Sequence, residues 1–397
     1  MANTLLTPTA VTRAALATLH QKLNFIGTIN RAYDDSFAKT GAKIGDSLKI
    51  RLPNQYTVRT GANLSTQDVT ETSVTLQVAT QKGVDLTFTS DDLTLDLDSF
   101  TERIIEPAMS VLAANVENDV LSMYKDVWNV VDNDTNTLTM KNILQARQKL
   151  VENLAPEDGK RSVILSPKHT VDLIDALKGL FHDSDAIEQQ YREGKMGRTG
   201  GFTFYENSMV GKHTSGTAAA STGYLINGAS QTGATLTVDT GSTTFLVGDI
   251  ITVAGVNSVH PETKVDTGNL QQFVITANSG SSATSLAISP SIVTSGATQN
   301  VSGSPADNAA ISKLCGGASS TQDFSMAYHK DAFTFATADL VMPSGVDFAA
   351  REVLDGISMR IVRQYAISTD TFPCRLDILY GKKAIRPQLA CRIHADG

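Results

Sequence analysis

The sequence predicts an α+β fold with an all-β domain inserted into it, and three observations carry that prediction. Apolar residues spaced four apart mark one long amphipathic helix through residues 99–127. Alternating apolar and polar residues on both sides of it mark strands. Between residues 214 and 320 the composition shifts: 33 Ser or Thr and 13 Gly stand beside only two basic residues, Lys264 and Lys313, and short β-branched runs recur. At 397 residues, 41% of them hydrophobic, the chain can fill a core and has room for roughly two or three domains.

The elements follow in order. Residues 1–50 read as a lightly structured arm, with a helix over 11–23 that places Ala14, Ala15, Leu19 and Leu23 near one face. Leu48, Ile50 and Leu52 then alternate with Lys49 and Arg51, Val74, Leu76 and Val78 alternate with Thr75 and Gln77, and Val84, Leu86 and Phe88 repeat the pattern. A polar stretch with turn residues Gly61 and Asn63 joins the first two runs into a long two-stranded projection. A lone two-stranded ribbon is marginal in water, so the projection is expected to lie on another chain.

The period then changes. Phe100, Ile104, Ala108, Leu112, Val116, Val120, Met123 and Val127 form the helical stripe, with Pro107 either kinking the helix or sitting in the first turn of its main segment. Its length would be about 44 Å, enough for a structural spine. Asp91, Asp92, Asp96 and Asp98 precede it and suit the positive end of the helix dipole. Residues 139–181 read as helix, strand, helix: Ile143, Leu144, Leu150, Val151 and Leu154 up to Pro156, a buried strand at 162–165 closed by Pro167, then Val171, Leu173, Ile174, Leu177 and Leu180. A glycine-rich loop at 194–201 leads to an extended piece at 202–205. Within the insertion, runs at 236–238, 250–253, 273–275 and 286–288 read as strands, with turns at 247–249 and 254–256. Strands resume at 333–335, 357–362 and 376–379, so the ends of the insertion are expected to lie close together; loop-closure entropy grows only logarithmically with length.

Composition excludes several function classes. A total of 33 basic against 41 acidic residues gives a net charge of −8, which argues against a chain built to hold nucleic acid by phosphate neutralisation. Aromatics are 6%, with a single tryptophan, Trp128, so base-stacking platforms are not expected. Cys315, Cys374 and Cys391 form no C-x-x-C and exclude a disulfide scaffold or a Cys-rich zinc site. No apolar run approaches the roughly 20 residues of a membrane span. Residues 1–8 lack a basic start followed by an apolar core, so no secretory leader is expected and the chain is expected to be made in the cytoplasm.

A search for chemistry gives no catalytic, cofactor or metal site. His20, His169, His182, His213, His260, His329 and His394 make no H-x-x-x-H or H-E-x-x-H spacing and are expected at the surface or in caps. Nucleophile-elbow, dinucleotide and P-loop motifs are absent from the sequence. The run Ser36-Phe-Ala-Lys39-Thr40-Gly41 merges two β-lactamase motifs that belong on separate elements, so the match is noise. The four aspartates at 91–98 lack the Gly and terminal Glu of a calcium loop and read as helix-start acids.

This order of elements resembles the major capsid protein fold of tailed double-stranded DNA phages. Ile187-Glu-Gln-Gln-Tyr191, Gly194-Lys-Met-Gly197 and Gly201-Phe-Thr-Phe-Tyr205-Glu-Asn look like the loop and strand common in these proteins. Gly248-Asp-Ile-Ile-Thr-Val-Ala-Gly-Val256 with Gln272-Phe-Val-Ile275 is similar to the inserted β domain of short-tailed-phage coat proteins. So are Met326-Ala-Tyr-His-Lys-Asp-Ala-Phe333, Arg375-Leu-Asp-Ile-Leu-Tyr-Gly381 and Arg386-Pro-Gln-Leu-Ala-Cys-Arg392.

The resemblance implies an N-terminal arm (1–50), an extended β loop (51–90), a spine helix and peripheral domain (91–138), an apical α/β domain (139–213), the inserted all-β domain (214–320) and a last apical and peripheral part (321–397). It also implies a non-enzymatic shell protein without cofactor that assembles with itself into pentamers and hexamers of an icosahedral virion capsid in the host bacterial cytoplasm. Scaffolding and portal proteins would be its assembly partners, with packaged double-stranded DNA contacted non-specifically and no membrane. Some family members cross-link a Lys of the long loop to an Asn elsewhere; residues 53–81 hold no Lys, which argues against that chemistry here. A phage tail or baseplate structural protein is the second reading, because such proteins also use Ser/Thr/Gly-rich β modules. A hydrolase with an appended β module is disfavoured, since no residue set supplies a nucleophile and base.

Overall fold

The computed structural model describes residues 23–32, 47–64, 66–68, 71–89, 106–134, 136–177, 198–354 and 357–396. Residues 11–22 of the expected helix over 11–23, the four aspartates at 91–98, the Ser36–Gly41 run, His20, His182 and the whole of 187–197 lie outside these residues. The described ones fall into two units, drawn from 1–51, 73–121 and 333–385 and from 52–72, 122–332 and 386–397.

In the first unit, the strand Thr371–Ala384 pairs antiparallel with Thr80–Thr89, Phe333–Ala338 and Ile357–Arg363, and Phe348–Leu354 pairs with Ile357–Arg363. The spine helix is described over Glu106–Leu121, and Ala108, Leu112, Val116 and Val120 of the expected stripe are all buried. Tyr380 donates to Asp119 Oδ2 at 2.7 Å and Lys382 reaches Asp119 Oδ1 at 2.7 Å, while Lys82 donates to the Asn115 carbonyl at 3.1 Å. These bonds lay the helix along the sheet. Burial raises the Asp119 pKa, but the Lys382 and Tyr380 bonds outweigh it and hold the carboxyl below its usual value.

The α-helix ends earlier than the stripe suggests. Ser122–Asp126 form a 3₁₀ turn, in which Met123 is still buried. Apolar spacing alone does not separate an α-helix from the tighter turn that closes it. A short helix, Asn24–Thr28, sits against the spine: the Glu117 carboxylate, itself buried, accepts from the backbone N–H of Phe25 and Ile26. Phe25 packs edge-on to Phe333 at 5.7 Å, and Asn30 exchanges backbone bonds with Phe333 and Phe335.

The projection begins as Ser47–Arg51 paired antiparallel with Ser73–Gln77, in a register that sets Leu48 opposite Leu76 and Ile50 opposite Val74. That register places the apolar residues of both strands on one face.

In the second unit, a mixed sheet runs in the order Val130–Asn133, Ala390–Ala395, Thr321–His329, Arg161–Leu165, Phe202–Glu206, Arg198–Thr199, with Lys212–Thr214 added on Thr321–His329. Met140–Glu152 and Pro167–Leu177 are its helices. The first starts at a capping box, with Asn142 Oδ1 accepting from the Thr139 N–H at 3.0 Å. Pro167 opens the second helix rather than merely closing the strand before it, because the first helical position needs no N–H.

The insertion is a closed barrel of Gly233–Asp239, Ser285–Ile292, Asp266–Ile275, Ile250–Val259, Ala310–Leu314 and Ser221–Ile226, in that order around the ring. Leu236, Val238, Phe245, Ile251, Val253, Phe273 and Leu286 fill it. The expected turn at 254–256 is instead a β-bulge inside Ile250–Val259: Gly255 has φ 78° and the pairing slips between Thr252 and Asn257. A glycine takes that backbone conformation without the penalty of a side chain.

Candidate functional site

Two places stand out: the root of the insertion and the segment between the projection strands. At the root, entry and exit strands are hydrogen-bonded side by side, with Thr214 opposite Thr321, His213 opposite Gln322 and Lys212 opposite Asp323. Ser215 N–H donates to the Ser320 carbonyl at 2.9 Å. Just beyond, Gly216 approaches the barrel so closely that a Cβ would meet the Thr244 carbonyl oxygen at 2.1 Å.

Asp249, in the turn before the strand Ile250–Val259, organises the root. It accepts from His213 Nε2 at 2.9 Å, Gly216 N–H at 3.0 Å and Leu246 N–H at 2.8 Å. Burial raises its pKa, but those donors prevail and keep the carboxyl ionised below its ordinary range. The other ring nitrogen of His213 lies 3.1 Å from the Tyr124 hydroxyl. Arg392 donates to the Gly248 carbonyl at 2.8 Å, and its guanidinium lies 5.6 Å from the centre of the Tyr124 ring. Residues from four separate stretches of chain therefore meet in one buried cluster.

Further polar contacts fix the barrel. Gln272 accepts from Val130 N–H at 2.8 Å and donates to the Val130 carbonyl at 3.1 Å, and Lys149 reaches the same Gln272 oxygen at 3.3 Å. Asp132 accepts from Cys315 N–H at 3.1 Å and Asp134 from Gly316 N–H at 2.7 Å. The nearly buried Lys313 donates to Ser215 Oγ at 3.0 Å and the Gly317 carbonyl at 2.9 Å. Between them Val130, Ile250, Val274 and Cys315 make an apolar patch against which Trp128 packs.

The segment 52–72 presents Tyr56, Val58 and Leu64 to solvent, the last two 95% and 84% exposed. Gln67 bridges back to it, accepting from Thr57 N–H at 2.9 Å.

A family model described as P22 coat protein, gene protein 5, matches residues 9–392. The chain belongs to the P22 coat protein family. It is a structural major capsid protein of the icosahedral shell, with a β-barrel inserted in its α+β fold. That decides between shell and tail in favour of the shell.

Among solved structures, a chain of Mycobacterium phage Che8 is 12% identical, covering 92% of this coat protein and 89% of that chain at TM-score 0.48. The mature capsid of bacteriophage PhiM1 is 11% identical, covering 89% and 83% at TM-score 0.41. The CUS-3 coat protein I-domain is 34% identical over 23% of this chain and 96% of its own length, at TM-score 0.19. Comparison with curated proteins finds no match.

The histidines of the coat protein correct the expectation of surface positions. His169, His213, His329 and His394 are buried; the capping part of the expectation fits His260, which accepts from Glu262 and Thr263 N–H, and His329, which accepts from Asp331 N–H at 3.2 Å. Each buried ring lies on or beside a strand whose partners come from distant sequence, which no local spacing reveals. Cysteine chemistry is muted: burial pushes Cys391 up to about 12 and Cys374 up to about 11, so both stay as thiols. Among the described residues no three His, Cys, Asp or Glu side chains are placed to hold a metal, and no helix is long and apolar enough to cross a membrane.

Proposed function

We propose that the coat protein builds its shell from pentamers and hexamers in which the projection of each subunit lies on a neighbour and the apical parts meet around the symmetry axes. The observation that carries this reading is the segment 52–72, the stretch of chain between the two ribbon strands, which exposes Tyr56, Val58 and Leu64. Exposed apolar side chains gain little in a lone subunit and are well used between subunits. Closed symmetry then repeats each modest contact many times.

Its role is architectural, with no enzymatic step. Assembly takes place in the host cytoplasm with scaffolding and portal partners, and the net charge of −8 fits a lining that contacts packaged DNA weakly and without sequence preference. The domain division at 50, 90, 138, 213 and 320 belongs to the same proposal.

Removing residues 56–67 tests it. The shortened subunit should fold as before yet fail to form closed particles in sedimentation and electron microscopy. Normal shells from the shortened protein would refute the intersubunit role of the projection.

A further inference from the structure

The polar cluster at the root of the insertion has an unusual charge balance. Arg392 and His394 are fully buried two residues apart on the strand Ala390–Ala395, and therefore share one face of it. Arg392 Nε and Nη1 and both ring nitrogens of His394 have no hydrogen-bond partner among the described residues. The His394 ring lies 6.3 Å from that of His213 and 6.1 Å from Phe324.

The titratable and charged groups around the two rings come from every packed element. Tyr124 and Lys125 face His213 from the 3₁₀ turn, Asp249 from the barrel, and Arg392 and His394 from the strand Ala390–Ala395. Arg392, His213 and His169 face His394, and its cross-strand partner is Asp132. Tyr124, Asp249, Cys315 and Cys391 surround Arg392. Asp249 thus already answers Arg392, with Lys313 also drawn to it.

We propose that His213 and His394 make this junction a proton-operated latch: the barrel stays docked while both rings are neutral and is released when they charge. The inference rests on the fold alone, not on the shell reading.

Neutral His213 fits its site, donating from Nε2 to Asp249 while Nδ1 accepts from Tyr124. A proton on either ring adds a cation beside Arg392, and the one added to His394 meets no carboxylate partner. Burial lowers the pKa of both rings; for His394 the Arg392 charge adds to it, and for His213 the Asp249 bond only partly offsets it. The released form exposes both rings at their ordinary value near 6.5. Below that pH the released form binds more protons than the docked one, so acid favours release. Each ring can contribute at most about tenfold between about pH 7.5 and 5.5, and the pair at most about a hundredfold. The window stays above the range where Asp249 titrates.

Hydrogen exchange of the full chain, corrected for intrinsic rates, tests the latch. Root amides of Val130, Cys315 and Gly316, which bond across the seam to Gln272, Asp132 and Asp134, report release, whereas Ile251 and Phe273 report the barrel interior and residues 161–165 the apical sheet. Protection at the root should fall over the window, by up to about a hundredfold, with the barrel and sheet unchanged. His394→Leu should cut that sensitivity to about tenfold or less, and His213→Gln should do the same if the leucine variant does not fold. His169→Asn should leave the pH slope at the root unaltered, because His169 is tied to Ser325 and the Ala395 carbonyl within the apical part. A root insensitive to pH, a loss shared equally by barrel and sheet, or a slope unchanged in both latch variants would overturn the proposal.

Discussion

Replacing Asp249 by alanine strikes the junction at its centre. The carboxylate is 2% exposed and accepts three hydrogen bonds, two from backbone N–H groups and one from His213. Alanine leaves the N–H groups of Gly216 and Leu246 buried without an acceptor, each costing about 1–3 kcal/mol, and removes the carboxylate that balances Arg392. These losses share one site and do not add in full, so the expected cost is about 3–5 kcal/mol, the range for breaking a buried charge pair. Against a total stability of about 5–15 kcal/mol, that is enough to undock the barrel in mild denaturant. The single tryptophan supplies the assay, since Trp128 packs on the patch formed by Val130, Ile250, Val274 and Cys315. Its emission during urea titration should shift at markedly lower denaturant in Asp249→Ala than in the parent. The Asp249 pKa is depressed in the folded state, so the difference is fully present above its unfolded value near 4 and fades as the pH falls through the folded value. A parent-like midpoint at neutral pH, within about 0.5 kcal/mol, would refute the reasoning.

The remaining predictions concern other links in the chain. Leu112→Asp puts an unpaired carboxylate on the buried face of the spine helix at a cost of several kcal/mol, so soluble expression with parent-like melting would sink that packing. Glu117→Ala removes the acceptor of the Phe25 and Ile26 N–H groups and should make residues 23–30 cleavable by protease at about 1–3 kcal/mol lower cost; equal cleavage in both proteins would count against it. Joining Thr214 to Thr321 through a short linker in place of residues 215–320 should leave the helical circular dichroism intact, because those two residues are already paired. His394→Leu, by replacing an unpartnered buried imidazole with an apolar side chain, should leave stability at neutral pH unchanged or raise it; a loss of more than about 2 kcal/mol would point to a partner for the ring.

How much of this was legible in sequence depended on whether the signal was local. Leu48 and Ile50 against Val74 and Leu76 read correctly because a ribbon with one apolar face shows its period directly. Leu112, Val116 and Val120 did so because a helix repeats its face every turn. The strand Ala390–Ala395 did not: it is buried on both sides yet carries Cys391, Arg392 and His394, and its partners Val130, Met326 and Gly248 lie far away in sequence. The barrel strands Ser221–Ile226 and Ala310–Leu314 were missed for a related reason, since Ser, Thr, Gly and Lys interrupt their apolar residues. Nothing local marked Asp249 either. Its string, Gly248-Asp-Ile, reads as a turn before a strand, and the His213 that gives it meaning is 36 residues earlier.

The contrast between barrel and root explains why an insertion of this size is compatible with the host fold. The barrel has its own apolar core, closed by ladder bonds around the ring, and draws nothing essential from outside. Its attachment is different in kind: Asp249, His213, Gln272, Asp132, Asp134 and Lys313 make a polar seam around a small apolar patch. Desolvating such groups consumes most of what their hydrogen bonds return, so a seam of this composition contributes little net stability while permitting only one alignment. A purely apolar seam of equal area would hold the barrel more firmly and tolerate sliding. In a shell whose subunits must present the same surface at every repeated contact, one fixed alignment matters more than a tight grip, and a modest net free energy also suits the proposed release on protonation of the two rings.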